Sequence, residues 1–453
     1  MTDGSLWSIA PLALMGLAAV LAMVLAPIQP MPRVRIAAAV AMALAVVVGL
    51  ARLRAPEAPY STLLADDMLA RLGALLAAAA GLGILSFTRT LCTGREGPAL
   101  VAIAAAGGAA LAGADHGATL FLGLELTTLP MVALALMPRT ETAVEAGYKL
   151  FLIAGVGAGA LLMGLVFGFA ASGSLRLDAW STGGPVAAIG LAFVLVGLSV
   201  KFALVPFHMW SPDLTAGAPA PVGAIAGAIS KVAVAIAALR IGLSLPTAEI
   251  WALGLLLAGG AAVIWGNLAA LRQDNLLRML GYSSIAHSGY LALVLSVGGD
   301  LMGETVLVYV ASYAPAIVAA FAVAALLGAE TRVGDLRGLG WSRPVAGVAL
   351  GVALLSMAGL PPTVGFLAKI YLFSSLAGAA AWGPLIIAAA GSALGFAYYL
   401  RLAVRIFTVP QIPAERAVLN KADAVAMATC VALIVGLGIY PEPLTGLVAA
   451  AFR

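Results

Sequence analysis

Charge is the first thing this sequence lacks. Of its 453 residues only 10% are Asp, Glu, Lys or Arg, while 63% are hydrophobic and the mean hydropathy is +1.08. Soluble domains carry about 25% charged residues, so a soluble globular protein is excluded and a polytopic membrane protein is implied. Cysteine is nearly absent: Cys92 and Cys430 stand far apart with no CxxC. Neither an iron–sulfur cluster nor a metal site can be assembled from them. No Walker motif and no nucleophile triad is present. The net charge of +4 comes from basic residues scattered through loops without an aromatic–basic patch, which argues against nucleic acid as a partner. Lysine is scarce as well. Lys149, Lys201, Lys231, Lys369 and Lys421 are the five, and the middle three fall inside apolar segments.

What is present is a succession of apolar runs. At about 20 residues per crossing, helices are expected near 6–26, 35–52, 68–88, 98–114, 117–137, 145–171, 186–208, 219–242, 247–270, 284–298, 303–328, 344–374, 381–408 and 423–448. The expectation is an all-α membrane protein of about fourteen transmembrane helices. The start, MTDGSLW, has no basic n-region, so the first run reads as a retained span. With the N-terminus outside, fifteen of the 24 lysines and arginines lie in inner loops, Arg89 and Arg416 among them. Five lie in outer loops, Arg453 among them, with Arg71 at a helix end. The positive-inside rule therefore favours an even count with both termini outside. The stretches near 53–67 and 409–422 are only loop-sized, so no soluble domain is hidden. GVGAGALLMG (155–164) lies within a span and reads as close helix packing through small residues.

The chain concentrates its exceptions at 201–231, KFALVPFHMWSPDLTAGAPAPVGAIAGAISK. A bilayer tolerates ionisable side chains and broken backbone only where they face protein or a water-filled cavity. The segment reads as two helices joined by a loop, the first broken by Pro206, each with a lysine several residues from its ends. Glu125 is the one acid well inside an apolar run. It either forms a structural ion pair with a lysine or tunes that lysine's proton affinity. Lys369 follows the Pro361-Pro362 break. A lysine held by a carboxylate keeps its proton and can release it when the pair is pulled apart, so Lys201, Lys231 and Lys369 are candidate proton sites. His208 and His287, the latter in GYSSIAHSGY, are candidate relay members, whereas His116 reads as interfacial. LSVKFALVP (198–206) and LSMAGLPP (355–362) each bring a helix to a proline after Leu-Ser, which points to a repeat architecture of transporter type.

VKFALVPFHMWSPDLTAGAPAPV, SKVAVAIAALR, LRQDNLLRMLGYSSIAHSGY and GLPPTVGFLAKIYLF together resemble the N subunits of bacterial respiratory complex I, the NADH–quinone oxidoreductase, relatives of mitochondrial NADH dehydrogenase subunit 2. The resemblance runs from about Glu125 to Tyr399. One departure is GYSSIAH, where the family is expected to carry alanine before the tyrosine. The resemblance implies antiporter-like architecture with two inverted five-helix repeats, each containing a broken helix. It divides the chain into N-terminal helices and the start of the first repeat (1–114), a first repeat (98–242), a second repeat (247–408), and a C-terminal loop and last helix (409–453). It implies Glu125 and Lys201 as the charged pair of the first half, Lys231 as the connecting lysine, Lys369 as the lysine of the second half, and His208 and His287 as members of the polar axis.

It further implies a proton-translocating subunit of the bacterial inner membrane with no cofactor of its own. NADH, flavin, iron–sulfur clusters and quinone are expected in partner subunits, with K-type and M-type subunits as membrane neighbours. The alternative expectation is a subunit of a multisubunit cation/proton antiporter or a membrane-bound hydrogenase.

Overall fold

In hydrocarbon every backbone polar group must be satisfied within the protein, and a sequence this apolar meets that demand with helices. The computed structural model describes residues 3–55, 57, 61–87, 94–182, 184–245, 249–409 and 419–452. Cys92, Arg89, Arg416 and Arg453 lie outside the described residues. The chain opens with α1 (Asp3–Leu25), α2 (Met31–Arg52) and α3 (Met68–Ser86). A first run follows: α4 (Gly97–Ala112), α5 (Gly117–Leu136), α6 (Glu141–Ser172), the interrupted pair α7 (Gly184–Phe202) and α8 (Trp210–Gly217), then α9 (Ala220–Ala224) continuing through a π-helical turn, Ile225–Ser230, into α10 (Lys231–Ser244). The second run is α11 (Glu249–Leu271), α12 (Leu276–Val297), α13 (Met302–Leu327), the short α14 (Leu339–Ser342), the interrupted pair α15 (Pro344–Ala358) and α16 (Val364–Gly378), and α17 (Trp382–Phe407). α18 (Lys421–Ile439) and α19 (Glu442–Ala450) close the chain.

Among the described residues twelve helices are long and apolar enough to cross a membrane. Counting α4 and the α15/α16 pair as one crossing each gives the expected fourteen. In each run of five crossings the fourth is the broken one.

The loops provide an independent check on that count. Among the described residues, contacts at the ends of the bundle join segments that an alternating path puts on the same side. On one side Leu64 bridges Ala114, His116 bridges Arg176, and Arg240 reaches Asp67. On the other, Asn275 bridges Arg332, while Lys149 and Arg278 both reach Asp213. An odd number of crossings between these segments would bring loops from opposite faces together.

Three expected boundaries move. α12 begins at Leu276 rather than near 284, because Asn275 caps it, its side chain accepting from the Arg278 N–H at 2.9 Å, and Arg278 is neutralised by Asp213 at 2.9 Å. A basic residue thus opens the helix instead of preceding it. The expected loop after Pro206 contains α8, and α7 ends at Phe202, so Lys201 sits in a last helical turn and not several residues inside. The last span stops at Ile439, and Pro441 starts the separate α19.

The two breaks are built alike. α7 ends with Ala203 in the left-handed region (φ +56°), and α15 ends with Gly359 there (φ +79°). In the first, Ala203 N–H donates to Val200 O and Leu204 N–H to Ser199 O; in the second, Gly359 N–H donates to Ser356 O and Leu360 N–H to Leu355 O. Both are Schellman caps, each followed three residues later by the expected proline, Pro206 or Pro362. The short echo in the sequence is therefore a repeated backbone device.

The N-terminal helices are tied together, and to α10 of the first run, by ion pairs. Asp66 is buried between Arg52 and Arg71, at 3.0 Å from Arg71 Nε and in contact with Arg52 Nη2. Next to it Asp67 caps α3 and receives two hydrogen bonds from Arg240 of α10, at 2.6 and 2.9 Å. Burial pushes the Asp67 carboxyl up, but the Arg240 guanidinium outweighs it and holds the group below the ordinary carboxylate range. Removing one partner of a buried ion pair strands the other. Asp66→Ala is expected to cost about 3–5 kcal/mol, read as a lower melting temperature of the detergent-solubilised protein. An unchanged melting temperature would show that the two arginines do not depend on this carboxylate.

Candidate functional site

Within the bundle the apolar helices enclose a set of polar side chains. Lys201, Lys231 and Lys369 are 4%, 3% and 8% exposed. Among the described residues none of them forms an ion pair, and each is held by a neutral oxygen. Lys201 Nζ donates to Thr128 Oγ1 of α5 at 2.7 Å, and the Thr128 hydroxyl itself donates to Leu124 O at 2.7 Å, which leaves its lone pairs to the lysine. Lys231 Nζ donates to Ser284 O of α12 at 2.7 Å. Lys369 Nζ donates to Ala358 O at 2.7 Å, the carbonyl at the end of α15 across the break. The first break has a counterpart, since Trp210 Nε1 of α8 donates to Val200 O at the end of α7 at 2.9 Å. At each break a side chain from the following half-helix thus donates to a carbonyl at the end of the preceding one.

Glu125 and Lys201 are close enough to interact through their charges, yet the expected direct pair is not closed. Glu125 Oε1 is buried without a hydrogen-bond partner. Two more orphaned hydroxyls accompany the other lysines, Ser230 Oγ beside Lys231 in the sequence and Ser356 Oγ near Lys369. Buried polar atoms without protein partners mark the places where a hydrogen-bonded guest fits. Lys231 itself stands where the π-helical turn returns to α-helix, a local irregularity common at functional positions.

His287 is the most connected of the predicted residues. Its Nδ1 meets Tyr309 Oη of α13 at 2.7 Å and its Nε2 meets Tyr399 Oη of α17 at 3.0 Å. Its ring lies 4.7 Å from that of Tyr313, whose hydroxyl donates to Ser284 Oγ at 3.0 Å. Lys231 and Lys369 are both within electrostatic reach of the imidazole. A cavity of about 10 Å³ is lined by His287, Tyr309, Tyr313, Ser356 and Lys369, among others; that is room for about one water. His208 is placed differently. It lies in the break between α7 and α8, edge-on to Trp265 with ring centroids 6.0 Å apart, and neither ring nitrogen has a well-formed hydrogen bond. The structure therefore gathers Lys231, His287 and Lys369 around α12, sets Lys201 with Glu125 against α5, and puts His208 at the first break.

Sequence reasoning missed Thr128, Ser284, Tyr309, Tyr313 and Tyr399. A signal existed for one pair: Tyr309 and Tyr313 are four apart in an otherwise apolar span, on one helix face.

An all-helical fold of fourteen crossings, with two interrupted helices and a lysine at each interruption, defines an antiporter-like membrane subunit. A profile of the family described as NADH:quinone oxidoreductase/Mrp antiporter, transmembrane, matches residues 114–395. A relative from Cereibacter sphaeroides, NADH-quinone oxidoreductase subunit N, is 47% identical over 392 residues, 86% of this chain and 87% of the relative. Another from Rhodopseudomonas palustris, also a subunit N, is 44% identical over 449 residues, 97% of each. A chain in the structure of respiratory complex I from Thermus thermophilus with bound aureothin superposes with a TM-score of 0.86 at 34% identity, covering 96% of this chain and 98% of that one. The chain belongs to the NADH:quinone oxidoreductase/Mrp antiporter transmembrane family, among the subunits N of the oxidoreductase.

The second break yields a test of the geometry. Gly359 adopts φ +79°, and a methyl group there would overlap the stem of Lys369. Gly359→Ala is expected to destabilise the protein by roughly 1–2 kcal/mol from the backbone alone, and to displace Lys369 from Ala358 O. A solved variant structure with Lys369 in place and undiminished melting temperature would contradict this.

Proposed function

We propose that this chain is the proton-translocating, non-redox N subunit of a respiratory NADH–quinone oxidoreductase, and that protons move through it along Lys201, Lys231, His287 and Lys369. Glu125 modulates how firmly Lys201 keeps its proton, and His208 serves the Lys201 end from the first break. The two runs of five crossings, 98–242 and 247–408, are the two repeats, each contributing a lysine at its break, with Lys231 between them. NADH, flavin, iron–sulfur clusters and quinone belong to partner subunits, and K-type and M-type subunits are the membrane neighbours. The membrane is the bacterial inner membrane with both termini on the periplasmic side, as the distribution of arginine favours.

The observation that carries this reading is the absence, among the described residues, of a carboxylate bound to any of the three buried lysines. A subunit whose charges only lock helices together would pair them, and this protein does so elsewhere: Asp66 with two arginines, Asp67 with Arg240, and Asp213 with Lys149 and Arg278. Those ion pairs sit toward the ends of the bundle. The lysines in its middle are held by a hydroxyl and two carbonyls, which leave each ammonium without a fixed counter-charge. Such an arrangement suits a proton that is passed on and is costly for a purely structural role.

Lys231→Met in the assembled complex is the direct test. With assembly intact, both proton pumping in proteoliposomes and coupled quinone-reductase turnover are expected to fall by about tenfold or more. Normal values for both would reduce the lysine to scaffold and remove the path.

A further inference from the structure

The hydrogen bonds of His287 lead to tyrosines before they lead to any lysine. Both ring nitrogens are engaged, each by a phenolic hydroxyl from a different helix: Tyr309 of α13 at 2.7 Å and Tyr399 of α17 at 3.0 Å. Tyr399 Oη continues to Ser283 Oγ on α12. Tyr309, on the other side, lines the cavity that it shares with Lys369 and Ser356. A neutral imidazole has one N–H and one lone pair, and a phenol can donate or accept. The run from Ser283 through Tyr399, His287 and Tyr309 to the cavity is therefore a continuous row of groups that can each give one proton while taking another.

We infer that Tyr309 and Tyr399 are proton-carrying residues of the path, with His287 between them acting as a neutral relay whose two nitrogens exchange roles. The inference rests on the lysine path proposed above and adds two residues to it. The step balances. A proton arrives at Tyr399 Oη, and the phenolic proton already there passes to Nε2. The Nδ1 proton passes to Tyr309 Oη, and the proton of Tyr309 leaves through the cavity to the neutral amine of Lys369. Each oxygen ends with the one proton it began with, and the imidazole ends as its other tautomer. Before the next proton passes, the ring and the hydroxyls return to their first arrangement. Because the ring stays neutral throughout, no imidazolium is formed between Lys231 and Lys369.

A purely structural role makes a different prediction. If the phenols only satisfy a buried histidine, their loss destabilises the bundle and leaves proton movement per turnover intact. The test uses the assembled complex in proteoliposomes with Tyr309→Phe and Tyr399→Phe. Tyr290→Phe, whose hydroxyl bonds Asn267 at 3.1 Å and neither nitrogen of His287, controls for loss of a buried phenol. Lys369→Met is the reference for a blocked path.

Pumping and coupled turnover are expected to drop about tenfold or more in both tyrosine variants, as in Lys369→Met, and to stay normal in Tyr290→Phe. Normal pumping in either Tyr309→Phe or Tyr399→Phe, with Lys369→Met inactive, overturns the relay and leaves the lysine path standing. Normal pumping in Lys369→Met removes the path and the relay with it. If a tyrosine variant does not assemble, infrared difference spectra of the turning-over complex with ¹⁵N-labelled histidine decide the matter, using His287→Gln to isolate this ring. A change between neutral tautomers supports the relay, and an imidazolium signal or no change overturns it.

Discussion

A bilayer interior supplies no hydrogen bonds, and every other feature of this protein follows from how it satisfies its own backbone there. Unbroken helices need nothing further. A helix interrupted at mid-bundle exposes carbonyls at its end, and each must find a donor from within the protein. Besides the N–H groups of the two caps, the donors here include Trp210, for Val200 O, and Lys369, for Ala358 O. The second choice is the consequential one. By using a lysine to cap a broken helix, the fold places an ionisable group in its interior for a structural reason and leaves it without a counter-ion. The partial negative charge at the helix end attracts an ammonium, but a neutral carbonyl does not commit it to remaining one.

The same economy applies to the other two lysines. Thr128 presents lone pairs to Lys201 because its own hydrogen is directed to Leu124 O. Ser284 offers its carbonyl to Lys231 and its hydroxyl to Tyr313, so that one residue touches both that lysine and the tyrosine whose ring lies beside His287. α12 is consequently the element on which the middle of the site is built. Its first turn is fixed by Asp213 on Arg278. Its middle turns carry Ser283, Ser284 and His287, which face α10, α13 and α17 through their partners. The ionic clamps at the two ends of the bundle and the uncommitted charges at its centre are complementary uses of the same residue types. Pairing fixes helices at the ends of the bundle, and neutral acceptors hold the lysines at its centre without a fixed counter-charge.

Much of this was legible in the sequence because it takes the form of exceptions. Against a 63% hydrophobic background, a lysine, a glutamate or a Pro-Pro stands out, and Lys201, Lys231, Lys369, Glu125 and the two breaks were all identified on that ground. The helix count was legible because loops and crossings alternate in composition. The beginning of α12 was not, since an arginine near a span reads as a loop until Asp213, sixty-odd residues away, is known to neutralise it. Tyrosine, serine and threonine are unremarkable inside an apolar helix, and what makes Tyr309, Tyr399 and Thr128 part of the site is the register between helices, which no single segment encodes. The open state of the Glu125–Lys201 pair was hidden for the same reason. A sequence can name two opposite charges in neighbouring spans, whereas only packing decides whether they touch.

That last distinction bears on how Lys201 is held. If Lys201 were clamped by Glu125, its ammonium would be as fixed as that of Lys149 between Glu145 and Asp213. Instead the carboxylate stands off with one oxygen unpartnered, and the lysine rests on a hydroxyl. A small displacement of α7 against α5 would close or widen that gap. α7 ends at Phe202 and its Schellman cap separates it from α8, so a shift of α7 need not carry α8 with it. The break therefore supplies the polar backbone beside which a buried lysine is tolerable, and it leaves the open Glu125–Lys201 contact at a helix end and not inside a continuous span.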